Sequence, residues 1–253
     1  IKKTGKKALS VFLTAGFPKT DNFTKLVVDV YNSGADIVEL GIPFSDPLAD
    51  GPVIQKASDK ALSSGMNIAK VIDMANEIKS EIDKPLLLMG YANPIQRYGK
   101  KKFAEKAFDA GVDGLIIPDI PIEEYDGFFG DQFNKFEIVN LTTPTSSESR
   151  IRSIDKKSRG FVYCVSVTGT TGVRNDFKED VYNNLKRTYS LITHNKMMIG
   201  FGISKPSDIK AFWNVSDGFI IGSAVIRSLE ENGKNYEPTL EFVRTLSEAC
   251  KTE

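Results

Sequence analysis

The stretches Ser33-Gly34-Ala35-Asp36-Ile37 and Ala110-Gly111-Val112-Asp113-Gly114 decide the fold class, because each is typical of a helix end, a tight turn and the start of a strand. Apolar residues recur at helical spacing just before them, in Phe23 to Tyr31 and in Phe103 to Ala110. We expect Asp21 to cap the first of these helices, and Gly34 and Gly111 to end the two. The repeated order of helix, turn and strand predicts a parallel sheet with helices between its strands.

Eight short apolar runs are predicted as the strands of that sheet. Each is nearly continuous in apolar character, as expected of a strand that is buried on both faces. Eight strands in 253 residues favour a closed barrel over an open sheet, and no linker rich in Pro, Ser or Gly divides the chain. We therefore predict an α/β fold, a (β/α)8 TIM barrel with extra short helices, formed as a single domain by residues 1–253. The predicted strands are Leu9 to Thr14, Ile37 to Leu40, Leu86 to Met89, Leu115 to Ile117, Ile138 to Leu141, Phe161 to Val165, Met197 to Phe201 and Phe219 to Ile221.

Composition excludes several classes of function. Lys+Arg and Asp+Glu both number 33, so the formal net charge is zero and binding to nucleic acid or an anionic membrane is not favoured. No apolar run approaches the roughly 20 residues of a membrane span. The two cysteines, Cys164 and Cys250, lack metal-ligand spacing, and the only histidine, His194, is expected in a surface loop, so no metal site is predicted. This cysteine usage fits a reducing compartment, the cytoplasm of a bacterium or the stroma of a plastid.

Two carboxylates stand out where a barrel has its active site, at the carboxyl ends of the strands. Glu39 lies among aliphatic residues of the second strand, where burial is expected to raise its pKa into a useful range. The following loop, residues 43–52, is rich in Pro and Asp, and its Asp50 is expected to reach over the barrel mouth. No Lys or His lies at any of the eight predicted strand ends, so neither a Schiff-base aldolase nor a metal-dependent one is indicated.

Three glycine turns late in the chain predict a phosphate site. They are Gly169 to Gly172, Gly200 to Ser204 and Gly222 to Ala224, and the last two follow consecutive strands. Phosphate sites of barrels form from the loops after the seventh and eighth strands, where glycine lets backbone N–H groups and a helix N-terminus approach the oxyanion. Ser204 and Ser223 are expected to donate or to cap there.

The segment Glu39 to Pro52 resembles the signature of the tryptophan synthase α subunit, an indole-3-glycerol-phosphate aldolase family. Further matches come in the family's order and cover nearly the whole chain: Leu88 to Pro94, Gly111 to Asp119, Thr142 to Thr145, Gly200 to Ser204 and Gly222 to Ala224. The resemblance implies a lyase of tryptophan biosynthesis that cleaves indole-3-glycerol phosphate to indole and glyceraldehyde 3-phosphate without metal or Schiff base.

The same resemblance assigns roles to residues. Glu39 matches the acid/base at indole C3 and at the glycerol hydroxyl, and Asp50 matches the carboxylate that stabilises charge at the indole N–H. The matching substrate-binding residues are the apolar contacts Phe12 and Phe201, the tyrosine Tyr163, the lid residues Thr171 and Gly172, and the phosphate cradle Gly202, Gly222 and Ser223. The sequence departs from the pattern of many relatives at Phe17, in the turn after the first strand, and in the lid at Gly169 to Gly172.

A partner is implied as well. Members of the family work with a β subunit in an αββα heterotetramer, and pyridoxal phosphate is expected only in that partner, with no cofactor in this chain. The segments around Asp46 and from Asn93 to Tyr98 are expected to face it. Two alternatives stay open at this point: another phosphate-binding barrel enzyme, such as a phosphosugar isomerase or indole-glycerol-phosphate synthase, and a barrel that only binds or activates a partner. The absence of a strand-end lysine speaks against the synthase, and the presence of both Glu39 and Asp50 speaks against the second.

Overall fold

The computed structural model describes residues 5–166, 175–200, 202–233 and 235–251 of the chain. Within them, nine parallel strand segments form one sheet in the order β5-β4-β3-β2-β1-β9-β8-β7-β6. The segments are β1 Ala8–Thr14, β2 Ile37–Gly41, β3 Leu86–Met89, β4 Gly114–Ile116, β5 Glu137–Val139, β6 Leu141–Thr142, β7 Phe161–Val165, β8 Lys196–Gly200 and β9 Gly218–Ile221.

The two segments at the ends of this order, β5 and β6, are separated along the chain by Asn140 alone. The strand predicted at Ile138 to Leu141 is thus divided, because β5 pairs with β4 on one side and β6 pairs with β7 on the other. Asn140 itself accepts from the backbone N–H of Tyr163 and donates from its side chain to Ser158 Oγ. This segment joins the two edges of the sheet. With β5 and β6 counted as one strand, the result is the predicted (β/α)8 barrel of eight strands.

Helices surround the sheet, and several short ones extend the basic pattern, as predicted. The helix α1 buries Phe23, Leu26, Val27, Val30 and Tyr31, the stripe that its helical spacing predicts. The bounds are α1 Phe23–Asn32, α2 Pro52–Ser63, α3 Ile68–Glu81, α4 Ala92–Tyr98, α5 Lys100–Asp109, α6 Tyr125–Phe128, α7 Glu148–Lys157, α8 Asn175–Leu191, α9 Pro206–Ala211, α10 Ser223–Asn232 and α11 Glu237–Ala249. Single 3-10 turns lie at Ile122–Glu124, Asp131–Phe133 and Trp213–Val215. No helix of the described residues is long and apolar enough to cross a membrane.

The ends of α1 and α5 test the expected caps. Gly34 and Gly111 follow the two helices with φ of +112° and +79°, the backbone region that glycine tolerates best. Asp21 as the cap of α1 was wrong: the N-cap is Asn22, with φ of 65° and no side-chain hydrogen bond. Because Asn22 already turns the chain through this left-handed conformation, the helix starts one residue later than a cap at Asp21 requires.

The repeated Gly-x-Asp pattern has a structural reason at the amino ends of the strands. Asp36, which precedes β2, accepts from the backbone N–H of Leu9 on the neighbouring β1 at 2.9 Å. Asp113 before β4 accepts in the same way from the N–H of Leu86 on β3, at 2.8 Å. Asp217 before β9 has no glycine two residues earlier, but it accepts likewise from the N–H of Met197 on β8, at 3.0 Å. A lysine pairs with each carboxylate. These aspartates therefore hold adjacent strands together at the amino-terminal face of the barrel, opposite the expected active site.

Candidate active site

A cavity of about 90 Å³ opens at the carboxyl ends of the strands. It brings together seven of the residues that the sequence singled out, from both ends of the chain: Phe12, Glu39, Asp50, Tyr163, Gly202, Gly222 and Ser223. Gly51, Ile54, Met89, Ile203 and Ile220 complete its described lining. The predicted contacts Thr171, Gly172 and Phe201 lie outside the described residues.

Glu39 lies in the wall of this cavity and is itself 0% exposed. Ser10 Oγ, on the adjacent strand β1, donates to Glu39 Oε1 at 2.7 Å. The other carboxylate oxygen, Oε2, has no hydrogen-bond partner among the described residues. Burial raises the pKa of Glu39 from 4.5 to about 7, and the Ser10 hydrogen bond only partly opposes this rise. Near neutral pH the side chain therefore exists in both protonation states, as a group that gives and takes a proton must.

Asp50 approaches the same cavity from the loop between β2 and α2. Gln55 Nε2 donates to its backbone carbonyl at 2.8 Å, which ties the loop to the first turn of α2. Burial raises the pKa of the Asp50 carboxyl from 3.8 to about 6, while a hydrogen bond from the Tyr91 side chain lowers it. Asp50 is thus mainly ionised at neutral pH, because its pKa is lower than that of Glu39. The two carboxylates have different environments and can have different roles.

The remaining walls are largely apolar and include one buried tyrosine. Phe12, Met89 and Ile220 are all buried and line the space beside Glu39. Burial, reinforced by the charges of Glu39 and Asp50, raises the pKa of Tyr163 well above its ordinary value, so its hydroxyl keeps its proton. Its ring lies where a Cβ on Gly200 of the neighbouring β8 would overlap it, so a larger residue at 200 would displace the ring. The cavity thus offers apolar walls next to two carboxylates.

The opposite end of the cavity is built from backbone. Helix α10 begins at Ser223, with Gly222 as an N-cap that has no side-chain hydrogen bond. The first N–H groups of a helix have no carbonyl one turn earlier to donate to, and the helix dipole favours an anion there. A Cβ on Gly222 would lie 3.5 Å from Phe12 Cβ and 3.8 Å from Ile54 Cδ1, both of them lining the cavity. The missing side chain therefore leaves room at this end for an anion to reach the helix.

Ser204 does not share in this arrangement as the sequence suggested. Its backbone N–H donates to Asp208 Oδ2 at 2.9 Å and its hydroxyl donates to the same oxygen at 3.2 Å. Because the Asp208 carboxylate already occupies the N-terminus of α9, an anion bound there would meet a like charge. Of the predicted anion-binding residues, only Gly202, Gly222 and Ser223 line the cavity.

Two residues of the site were missed by the sequence reasoning. Ser10 holds Glu39, and Tyr91 contacts the Asp50 loop, yet neither lies near its partner in sequence. The sequence offered one signal for Ser10, because it is a polar residue inside the otherwise apolar start of a buried strand. Tyr91 stands two residues after the end of the third strand, in a loop at the face of the barrel where the active site is expected.

A second concavity, of about 440 Å³, lies on the outer face next to the Asp50 loop. It is lined by parts of the two segments that were expected to face a partner, including Phe44 and Ser45 on one side and Asn93 and Arg97 on the other. Leu48, in the same loop, is 90% exposed. Among the described residues no cluster of His, Cys, Asp or Glu could hold a metal ion.

Comparison with known proteins gives one consistent result. The family model described as tryptophan synthase alpha chain matches residues 1–253. A tryptophan synthase alpha chain of Christiangramia forsetii is 42% identical over 229 residues, 90% of each chain, and that of Caldanaerobacter subterraneus subsp. tengcongensis is 42% identical over 253 residues, 98% of this chain and 95% of the relative. The solved tryptophan synthase subunit alpha of Legionella pneumophila superposes with a TM-score of 0.86 at 33% identity, over 96% of this chain and 92% of that one. A tryptophan synthase structure from M. tuberculosis, in an aminoacrylate-bound form, gives a TM-score of 0.85 at 26% identity, over 97% and 94% of the two chains.

Proposed function

The chain belongs to the tryptophan synthase alpha chain family, and from that premise we propose how its residues cleave indole-3-glycerol phosphate. The reaction is a retro-aldol cleavage that yields indole and glyceraldehyde 3-phosphate in tryptophan biosynthesis. The observation that carries the assignment of residues is the environment of Glu39. It is a fully buried carboxylate in the cavity wall, with one oxygen held by Ser10 and the other without a hydrogen-bond partner among the described residues.

Glu39 handles the protons in this proposal. A proton delivered to indole C3 turns the ring into an electron-poor indolenine, which serves as the electron sink that a Schiff base or metal supplies in other aldolases. Loss of the proton from the hydroxyl on the adjacent glycerol carbon lets that oxygen form a carbonyl. The carbon–carbon bond then breaks, and its electron pair restores the aromatic indole. A carboxyl with a pKa of about 7 suits both the donation and the removal of a proton.

Asp50 is proposed to stabilise the positive charge that C3 protonation places on the indole ring. Its carboxylate, mainly ionised at neutral pH, would accept from the indole N–H. A charge-assisted hydrogen bond of this kind strengthens as the ring becomes cationic, so it favours the transition state over the bound substrate. Phe12 and Tyr163 are proposed to hold the ring beside the two carboxylates.

The phosphate is proposed to bind at the N-terminus of α10, on Gly202, Gly222 and Ser223. This site anchors the end of the substrate that does not react, and its binding energy can serve to orient the reacting carbons. Thr171 and Gly172 as lid residues and Phe201 as an apolar contact are part of the same proposal, supported by the resemblance of their positions to the family pattern.

We also propose that the chain binds a tryptophan synthase β subunit in an αββα assembly, with pyridoxal phosphate held in the β subunit and not in this chain. The support is the outer concavity, where the segment around Asp46 and the segment Asn93 to Tyr98 meet. An R97E substitution is expected to weaken co-elution with the β subunit in size-exclusion chromatography. The control is R152E, at an exposed arginine on α7; equal co-elution by both variants would contradict the placement of the β subunit on this face.

We place the protein, as one barrel domain, in the cytoplasm, a reducing compartment that suits its two free buried cysteines.

The test of the proposed function is indole release from indole-3-glycerol phosphate, with and without a β subunit. Glu39→Gln keeps the size of the side chain but removes its acidity, so we expect turnover to fall by at least about 10²-fold. Glu137→Gln, at the exposed start of β5, is the matched control and should keep wild-type turnover. An E39Q variant that is folded and fully active would refute the assignment of Glu39.

A further inference from the structure

Tyr91 is joined to the Asp50 loop by a hydrogen bond to Ala49, 42 positions away in sequence. Its hydroxyl oxygen accepts from the backbone N–H of Ala49 at 3.1 Å, and the hydroxyl also acts on the neighbouring Asp50 carboxylate, whose pKa it lowers. Tyr91 is only 4% exposed, and its ring contacts Phe44 at the start of the same loop, with 5.4 Å between the ring centroids. One side chain therefore contacts the loop at two points: the ring of Phe44 and the backbone of Ala49, the residue before Asp50.

The backbone of Tyr91 is itself fixed. The next residue, Ala92, donates its N–H to both carboxylate oxygens of Asp119, at 3.0 and 3.1 Å. Asp119 follows strand β4, and the N–H of Gly90 donates to the carbonyl of Ile116 at the end of that strand. Tyr91 thus stands on a backbone that is held by the neighbouring strand end, while its hydroxyl lies under the loop.

From this geometry we propose that Tyr91 is a positioning residue, which holds the Asp50 carboxylate in place and in its ionised form for the reaction. The inference rests on the proposed function, because it gives Tyr91 a purpose only through Asp50. A tyrosine suits the task, since burial and then the charge of Asp50 raise the pKa of Tyr91 and keep its hydroxyl a donor. A hydrogen bond that is donated to a carboxylate stabilises its charged form. Loss of this hydrogen bond should disturb the position of the Asp50 carboxylate and raise its pKa.

The ionisable groups that face Asp50 come from several elements. They are Glu39 on β2, Tyr163 on β7 and Tyr91 itself, with Asp119 and Arg150 along the outer wall of the neighbouring groove. Glu39 also titrates near neutrality, with a pKa of about 7 against about 6 for Asp50. Both groups can therefore shape the pH–rate profile. The limb that is lost in the Asp50→Asn variant is the one that reports the titration of Asp50.

The experiment measures kcat/KM for indole release against pH, with the full chain and its β subunit. For Tyr91→Phe we expect a fall of about 10-fold at neutral pH, as for a lost hydrogen bond to a charged group, and a further fall toward acid. The acid limb of the profile should move to higher pH, because the carboxylate loses a donor that favours its charged form. The matched control is Tyr31→Phe, which removes a buried hydroxyl that donates to the Pro85 carbonyl at 2.7 Å at the opposite face of the barrel. This control should keep the wild-type profile.

Each outcome decides the matter. A Y91F loss that is equal at every pH marks a merely structural tyrosine and overturns the inference, as does wild-type activity in Y91F while Asp50→Asn is impaired. Wild-type activity in Asp50→Asn would instead remove the proposed role of Asp50, and the inference with it. The shifted limb, present in Y91F and absent in Y31F, supports it.

Discussion

The buried carboxylate of Glu39 should cost the protein stability, and the cost should depend on pH. Its pKa is 4.5 in an unfolded chain and about 7 in the folded protein, so between these values the folded protein binds more protons than the unfolded one. Stability that depends on this group is therefore present below pH 4.5 and is lost as the pH rises through 7. The shift of about 2.5 pH units, at 1.36 kcal/mol per unit, corresponds to about 3 kcal/mol.

The variant Glu39→Gln removes the titration but keeps a side chain of similar size. We expect its stability, relative to the wild type, to rise between pH 4.5 and 7 and to level off above, with a total change of about 3 kcal/mol. The difference between the two proteins cancels the titration of every other group.

The assay is urea unfolding of wild type, E39Q and the exposed-site control Glu137→Gln at pH 5 to 9, followed by circular dichroism and fluorescence. Both probes are needed, because a barrel of this size can unfold through intermediates, and only coincident transitions allow a free energy to be assigned. A difference between wild type and E39Q that does not change with pH would refute the reasoning. So would the same pH dependence in E137Q. The expected result, a more stable but inactive E39Q, would show that the active site carries a burial cost for its chemistry.

Three further predictions concern single contacts. Ser10→Ala removes the 2.7 Å hydrogen bond to Glu39, so the pKa of Glu39 should rise by about one unit and the matching limb of the pH–rate profile should move up with it; an unmoved limb would contradict this role of Ser10. Gly222→Val should fill the end of the cavity and raise KM for indole-3-glycerol phosphate by about 10-fold or more, with an unchanged circular dichroism spectrum, whereas a wild-type KM would place the phosphate elsewhere. Asp113→Ala should lower the free energy of unfolding by about 1 to 3 kcal/mol through the unpaired N–H of Leu86, with normal activity per folded molecule, and a loss of activity without a loss of stability would be the contrary result.

The strands could be read from the sequence because burial on both faces leaves a local signature. The predicted runs at Leu86 to Met89 and Phe161 to Val165 agree with β3 and β7 at both ends. The divided strand around Asn140 was not predicted, because the interruption arises from pairing with two different neighbours, and no property of Asn140 itself announces it. Helix starts were less certain for a related reason: the backbone conformation of Asn22, and not the capping ability of Asp21, decides where α1 begins.

The proposed phosphate site shows where local sequence patterns mislead. Both Ser204 and Ser223 follow a glycine turn and precede a helix, so in sequence they are equivalent candidates. In the structure Asp208 already caps the first of the two helices, and Ser223 alone borders the cavity. A carboxylate four residues downstream decides the difference, and it acts only once the helix has formed.

The sequence by itself was enough to predict the barrel, the family and the two candidate carboxylates, since each prediction depends on residue type and on spacing along the chain. A glutamate within a buried strand must have a perturbed pKa wherever the strand ends up in the fold. The tertiary structure alone decided which partners tune those carboxylates. Ser10 reaches Glu39 from the neighbouring strand, and Tyr91 reaches the backbone of Ala49, beside Asp50, over 42 positions of sequence. Asp119 holds the backbone next to Tyr91. Hydrogen bonds act over about 3 Å in space, and the closure of the barrel, which no local pattern contains, sets those distances.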